Sequence, residues 1–302
     1  MSEIKLVPPH EIEKMFARLG ELTLDTAGIR RKFLNCPYGE DPRQSLDIYL
    51  PNEDKKVFPV VIFIHGGGWT GGSKGDNQLV PFIEGVHRGY AVVSLNYRLL
   101  PHVRYPENLF DIKLALRWLA ANAETYLLDV SKTAITGASA GAQLAMMTAF
   151  TQGQAVFEGG PLDSTCNILA VVDQFGPSDF LKTQRHFDES GYPRASIDEP
   201  DKMNGHDMLL GAKLTSIPGM VRFMNPIDNL HPDIPPVFIQ HGRYDPILPY
   251  QQSVELCERI RAVAGADRAV LDLSEEFLHA DPGYAGQESV DRIFGFIDSY
   301  LK

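Results

Sequence analysis

The chain has 302 residues, 44% of them hydrophobic and 22% charged, the make-up of a globular protein with ample apolar material for one large core. Its 39 acidic against 28 basic side chains give a net charge of −11, which excludes the basic footprint of a nucleic-acid binder and leaves solubility as the plain meaning of the acidity. No run of 18 apolar residues is present to span a membrane, and three scattered cysteines (Cys36, Cys166, Cys257) suit neither a disulfide framework nor a metal knuckle.

Along the chain, a helix is expected over Pro9 to Leu19. The opening MSEIKLVPPHEIEKMF mixes charges through its first turns and lacks the apolar stretch of a signal peptide, so a cytoplasmic protein is expected. Leu46 to Leu50 alternates as a half-buried strand does, and Pro51 ends it. Val57 to Ile64 is a nearly unbroken β-branched and aromatic run, the pattern of a central strand buried on both faces. Ala91 to Leu95 and Thr133 to Thr136 continue the series. Between these two, Leu109, Ile112, Leu116 and Leu119 fall at helical spacing, with Pro106 suited to a first turn. Strands follow at Ile168–Phe175, Val237–Gln240 and Ala269–Leu273, and helices from about Leu248 to Val263 and from Gln287 to Leu301. Such alternation predicts an α/β fold, a mostly parallel sheet with helices on both faces. The rhythm breaks at residues 176–235, too long for a connection and too apolar for a linker. They are read as a helical cap insertion within a single domain spanning residues 1–302.

Gly137-Ala138-Ser139-Ala140-Gly141 lies between a strand and a helix-like run, the setting of a nucleophile elbow. The turn is too tight for side chains at the glycines, and it lifts Ser139 above the sheet, where the following helix directs its N-terminus toward it. His65-Gly66-Gly67-Gly68-Trp69 ends the most hydrophobic strand. Its glycines let backbone N–H groups approach a substrate oxygen, so Gly67 and Gly68, with the N–H of Ala140, are the candidate oxyanion hole. A phosphate loop does not fit, because Lys74 is flanked by Ser73 and Gly75. The acid of such a triad precedes its histidine. Asp245 follows a strand in HGRYDP, whereas Asp228 and Asp233 precede that strand and Asp272 and Glu276 lie in or beside the last one. Only one histidine follows Asp245, and it is His279. His241 is read as ordering the acid loop.

Together HGGGW, NYRLLPHVRYPENLFDIKLALRWL, GASAG, HGRYDPILP and the lone downstream His279 resemble the HGGG-containing carboxylesterases, relatives of the hormone-sensitive lipase group. They are more similar still to bacterial feruloyl and acetyl-xylan esterase-like proteins and to kynurenine formamidase-like proteins. YGEDPRQSLDIYLP resembles the entry strand of that subgroup, so the likeness runs from Tyr38 to the C-terminus. It implies the α/β-hydrolase fold with an eight-stranded sheet, no metal, no organic cofactor, and an ion pair between Arg98 and Asp111. Two departures, Ala142 where a glycine is usual and LHADPG where the family reads nearer to GHG, leave every catalytic atom in place.

The expected activity is that of a serine carboxylesterase, with Ser139 as nucleophile, His279 as base and Asp245 as its orienting acid. An amidase, formamidase or peptidase would use the same triad, and a ligand-binding protein of the same fold would need none of it. The partner is then a small-molecule ester, with no nucleic acid and no membrane. The sequence neither requires nor excludes an oligomer. Met220, Phe223 and Met224 in the insertion, with Trp69, are expected to close the acyl pocket and favour short or compact acyl groups.

Overall fold

The computed structural model describes residues 6–54, 57–162, 165–195 and 203–302. Eight strands form one sheet: β1 (Arg31–Pro37), β2 (Ser45–Leu50), β3 (Phe58–Ile64), β4 (Ala91–Leu95), β5 (Leu128–Ala138), β6 (Ile168–Gln174), β7 (Val237–Gly242) and β8 (Ala269–Ser274). Their spatial order is β1-β2-β4-β3-β5-β6-β7-β8. The β1–β2 and β2–β4 pairs are antiparallel and the rest parallel. Among the described residues ten α-helices accompany them: α1 (Pro9–Leu19), α2 (Val80–Ile83), α3 (Glu107–Ala121), α4 (Ala140–Phe150), α5 (Ala155–Glu158), α6 (Thr183–Ser190), α7 (Gly205–Leu210), α8 (Pro218–Met224), α9 (Gln251–Ala264) and α10 (Gln287–Leu301). This is the eight-stranded, mostly parallel architecture expected of an α/β-hydrolase.

Period-two alternation in the strands divides the core between the faces of the sheet. Val60, Ile62 and Ile64 of β3 join Leu109, Leu116 and Leu144 on one side, and Val61 and Phe63 join Phe82, Ile293 and Phe294 on the other. Because β3 is buried on both faces, its sequence is apolar at nearly every position, as a central parallel strand requires. Leu109, Ile112, Leu116 and Leu119 are all buried along α3. Its Asp111 takes a bidentate grip from Arg98, with Nη2 2.7 Å from Oδ1 and Nε 2.9 Å from Oδ2. The ion pair therefore ties α3 to the segment after β4.

Three boundaries depart from the sequence reading. Strand β1 was not marked by alternation, because its register shifts between Phe33 and Cys36, around Asn35 at φ 57°. Strand β5 begins at Leu128, five residues ahead of the apolar run, through the polar stretch Asp129 to Lys132. Helix α9 starts at Gln251 and not Leu248, because the Leu248 N–H donates to Asp245 Oδ1 at 2.9 Å instead of joining the helix. Residues 176–235 contribute α6, α7 and α8, with positions 196–202 outside the described residues. All three cysteines are free and buried. Among the described residues no helix is long and apolar enough to cross a membrane.

Candidate active site

Ser139 stands between β5 and α4 at φ 52° and ψ −120°, a conformation that a side chain opposes. It is held there on both sides. Its N–H donates to Gln174 O at 2.8 Å, and its carbonyl accepts from Ala142 and Gln143 in the first turn of α4. The hydroxyl oxygen thereby reaches 3.0 Å from His279 Nε2.

His279 follows β8, and its other ring nitrogen, Nδ1, lies 2.6 Å from Asp245 Oδ2. A carboxylate at Nδ1 places the proton there and leaves Nε2 as the acceptor that faces Ser139. The ring edge of Phe175, itself at φ 45°, packs on the imidazole with centroids 4.8 Å apart. Asp245 lies past the end of β7 and is buried. Its Oδ1 accepts the N–H groups of Ile247 at 2.8 Å and Leu248 at 2.9 Å. Burial alone would raise the affinity of Asp245 for a proton. The charges and hydrogen bonds of His279 and His241 outweigh it, and hold the carboxyl well below the usual carboxylate range. Ser139, His279 and Asp245, named from sequence, are thus joined in one line of hydrogen bonds.

The glycine loop after β3 has three consecutive residues at positive φ, Gly67 at 106°, Gly68 at 58° and Trp69 at 60°. Gly67 has no room for a side chain, since a Cβ there would lie 2.5 Å from Gly71 O. The Gly66 N–H is taken by Gln78 Oε1 at 3.0 Å, and the Gly67 carbonyl accepts from Thr70 and Gly71. Ala140 is the first residue of α4, a position whose N–H has no acceptor within its helix. His65 braces the loop. Its Nδ1 lies 2.7 Å from Gly66 O, its ring stacks on Tyr97, and Arg43 Nη2 approaches Nε2 at 3.3 Å while donating to Gly72 O at 2.9 Å. Burial pushes His65 down to about 4, with the Arg43 charge adding to the effect and the bond to Gly66 opposing it, so its ring is neutral near pH 7.

The four residues expected to line an acyl pocket are placed differently from one another. Trp69 is buried, with its ring against Phe180 and His206 at centroid distances of 5.8 Å each. Met224 is buried as well. Met220 is 54% exposed, and Phe223 stacks on Phe157 at 4.2 Å, packing α8 onto α5. A cavity of about 370 Å³ opens beside Phe180 and His206, with Gln184, Asn204 and Leu214 in its wall. A smaller one of about 200 Å³ shares Gln184 and His206 and reaches Ile247 in the acid loop.

Sequence reading overlooked Gln143. This buried amide accepts the Trp69 indole N–H at 3.3 Å and donates to Met224 O at 2.9 Å. Its signal was present, a lone polar side chain in the apolar run AQLAMMTAF. Arg43 gave no such signal, because its partners, two backbone carbonyls and the His65 ring, are far away in sequence. Among the described residues no group of three or more His, Cys, Asp and Glu side chains is arranged to hold a metal ion.

The BD-FAE family profile matches residues 46–260. Esterase LipC of Mycobacterium tuberculosis is 29% identical over 81% of this chain and 58% of its own length. The probable carboxylic ester hydrolase LipM of the same organism is 31% identical over 75% of this chain and 51% of its own. The chain thus spans little more than half the length of these curated relatives. Among solved structures, a truncated form of a carbohydrate esterase from gut microbiota superimposes with a TM-score of 0.77 at 25% identity, covering 91% of this chain and 98% of that one.

Proposed function

The chain belongs to the BD-FAE family, and from that premise we propose that it is a serine carboxylesterase working through an acyl-enzyme. The observation that carries the reading is the line from Ser139 Oγ through His279 to Asp245, with steps of 3.0 and 2.6 Å, starting from an elbow that holds the half-buried serine at φ 52°. His279 Nε2 takes the serine proton as Oγ attacks the ester carbonyl, and Asp245 steadies the imidazolium that forms. The N–H groups of Gly67, Gly68 and Ala140 receive the oxyanion, each contributing about 3 kcal/mol to barrier lowering. His279 then hands its proton to the departing alcohol. Water, activated by the same ring, cleaves the acyl-enzyme and regenerates Ser139.

The described part of residues 176–235 serves as the cap, supported by the contacts of Trp69 with Phe180 and His206 and by the Gln143 link to Met224. Trp69 and Met224 then bound the acyl side, and compact or short acyl groups are the substrates. The test is hydrolysis of p-nitrophenyl esters of increasing chain length, beside a hydroxycinnamate ester and N-formylkynurenine. Turnover should peak on a short ester and vanish in Ser139→Ala. Cleavage of the formamide with no cleavage of any ester would replace this reading with that of an amidase.

A further inference from the structure

His241 lies wholly buried in β7, four residues ahead of Asp245, and no step above uses it. Its ring is pinned at both nitrogens. Nδ1 is 2.7 Å from Ser253 Oγ on α9, while Nε2 faces two acceptors, Leu248 O and Asp245 Oδ2, each at 3.1 Å. Neither acceptor at Nε2 carries a proton, so Nε2 must, and Nδ1 of the neutral ring accepts the Ser253 hydroxyl proton. Asp245 Oδ2 therefore receives two imidazole N–H groups, one from His279 and one from His241.

On the reading of Ser139, His279 and Asp245 as the triad, we propose that His241 is a positioning residue, sharing Asp245 Oδ2 with His279 and limiting how tightly that carboxylate holds the base's proton. Two physical consequences motivate it. First, the donors to Oδ1, Ile247 and Leu248, belong to the acid loop itself and cannot fix that loop against the sheet. His241 is a strand residue and does so. Second, each N–H on a carboxylate oxygen disperses its charge, so a second donor on Oδ2 weakens its pull on the His279 proton. The ionisable groups around His241 come from several elements. Asp245 lies in the acid loop with His279 beyond it, and Asp173 lies on β6, the strand paired with β7. Tyr284 faces Asp245 from the segment before α10. Burial pushes Asp173 up to about 7, so that it is largely uncharged below neutrality and competes weakly for the His241 ring.

The experiment uses the full chain with His241→Phe, which lacks the donor, His241→Gln, which keeps one within reach of the same oxygen, and Ser253→Ala, which removes the anchor at Nδ1 and loosens the ring's hold on Asp245 Oδ2. Two readouts are taken: the pH profile of kcat/KM on p-nitrophenyl butyrate, and an NMR titration of His279 in a Ser139→Ala background, which needs no turnover. His241→Phe should move both acid midpoints upward by about 0.5–1 unit and lower kcat roughly tenfold with little change in KM, the scale of one charge-assisted hydrogen bond. His241→Gln should restore both, and Ser253→Ala should shift the midpoints in the same sense by less. Unshifted midpoints in a folded His241→Phe protein overturn the proposal, as does an equal loss in Phe and Gln variants at unchanged midpoints. If His241→Phe fails to fold, an unshifted Ser253→Ala overturns it and a shifted one upholds it. Should the unmutated chain hydrolyse neither esters nor amides, the esterase reading fails, while the NMR titration still decides the role of His241.

Discussion

Gly137 and Gly141 meet beside Ser139 so closely that a Cβ on Gly137 would stand 2.4 Å from the carbonyl carbon and oxygen of Gly141. A Cβ on Gly141 would in turn lie 2.1 Å from Ile64 O. The opposing atoms are backbone, which cannot rotate aside. Gly141→Ala is therefore expected to cost roughly 3 kcal/mol or more, the scale of severe overpacking, and to abolish folding if the protein is only marginally stable. Urea unfolding checks this, and a midpoint equal to that of the unmutated protein would count against the contact.

The strain at Ser139 predicts an opposition between stability and activity. Backbone at φ 52° and ψ −120° suits glycine alone, so Ser139→Gly should gain about 1 kcal/mol after its extra unfolded-state entropy is counted. Ser139→Ala keeps the strain and should be nearly neutral. Both should lower kcat on an ester by roughly 10⁴-fold or more. Thermal unfolding of the two variants side by side separates the effects.

Asp173 sets a pH dependence of stability. Its Oδ1 accepts the Gly176 N–H at 2.8 Å, while Oδ2 is buried without a hydrogen-bond partner. Burial pushes the carboxyl up to about 7, against some lowering by the Gly176 bond and by His241. A carboxyl whose folded value is raised favours the folded state fully below its unfolded value of roughly 4, and that contribution is lost as pH rises toward 7. Asp173→Asn keeps the Gly176 bond and cannot ionise. Its stability relative to the unmutated protein should therefore climb between pH 4 and 7 and level off above, as read by denaturant unfolding at each pH. A difference that stays flat across that range would contradict a buried, uncharged Asp173.

If the proposed triad operates, Asp245→Asn should lower kcat by about 10⁴-fold, less than loss of Ser139 or His279, because the proposed oxyanion donors and nucleophile remain. Ser139→Ala combined with His279→Ala should be no worse than either alone, since the two move one proton between them. Additive losses in single-turnover rates would show that they act separately.

Helix α8 predicts a graded response. Met220 is exposed, so Met220→Ala should change stability by less than about 0.5 kcal/mol. Met224→Ala removes a fully buried side chain and should cost about 2–4 kcal/mol, and Phe223→Ala, half-buried on Phe157, about 2 kcal/mol. Denaturation midpoints of the three variants rank them. Acyl-length profiles should move only for Met224→Ala.

Much of this molecule was legible without coordinates. Central strands bury both faces, so Val57 to Ile64 and Ala91 to Leu95 declare themselves by composition alone. GASAG and HGGGW are local features, whose glycines answer to contacts within a few residues. Asp245 and His279 followed from chain order. What escaped was nonlocal or irregular. The edge strand β1 carries a register shift that erases alternation, and the grip of Arg43 on Gly72 and Tyr97 depends on backbone carbonyls that leave no mark in sequence. The apolar residues of 176–235 announced burial but not its direction, so Phe223, stacked on Phe157, and exposed Met220 read alike as pocket wall.

Gln143 has a consequence for exchanging parts among relatives. One amide binds the glycine loop through Trp69 and the inserted segment through Met224 O, so the segment is no freely transplantable module. A graft from a relative that starts before position 224 must present a carbonyl at the same point, or it strands a buried N–H at a cost of about 1–3 kcal/mol. That cost would fall on the glycine loop after β3, through the amide's other bond. A chimera joined after Asn225 keeps the bond, and with it the register between host and graft. The compatible crossover lies one residue past α8, well inside the boundary that loop length alone would recommend.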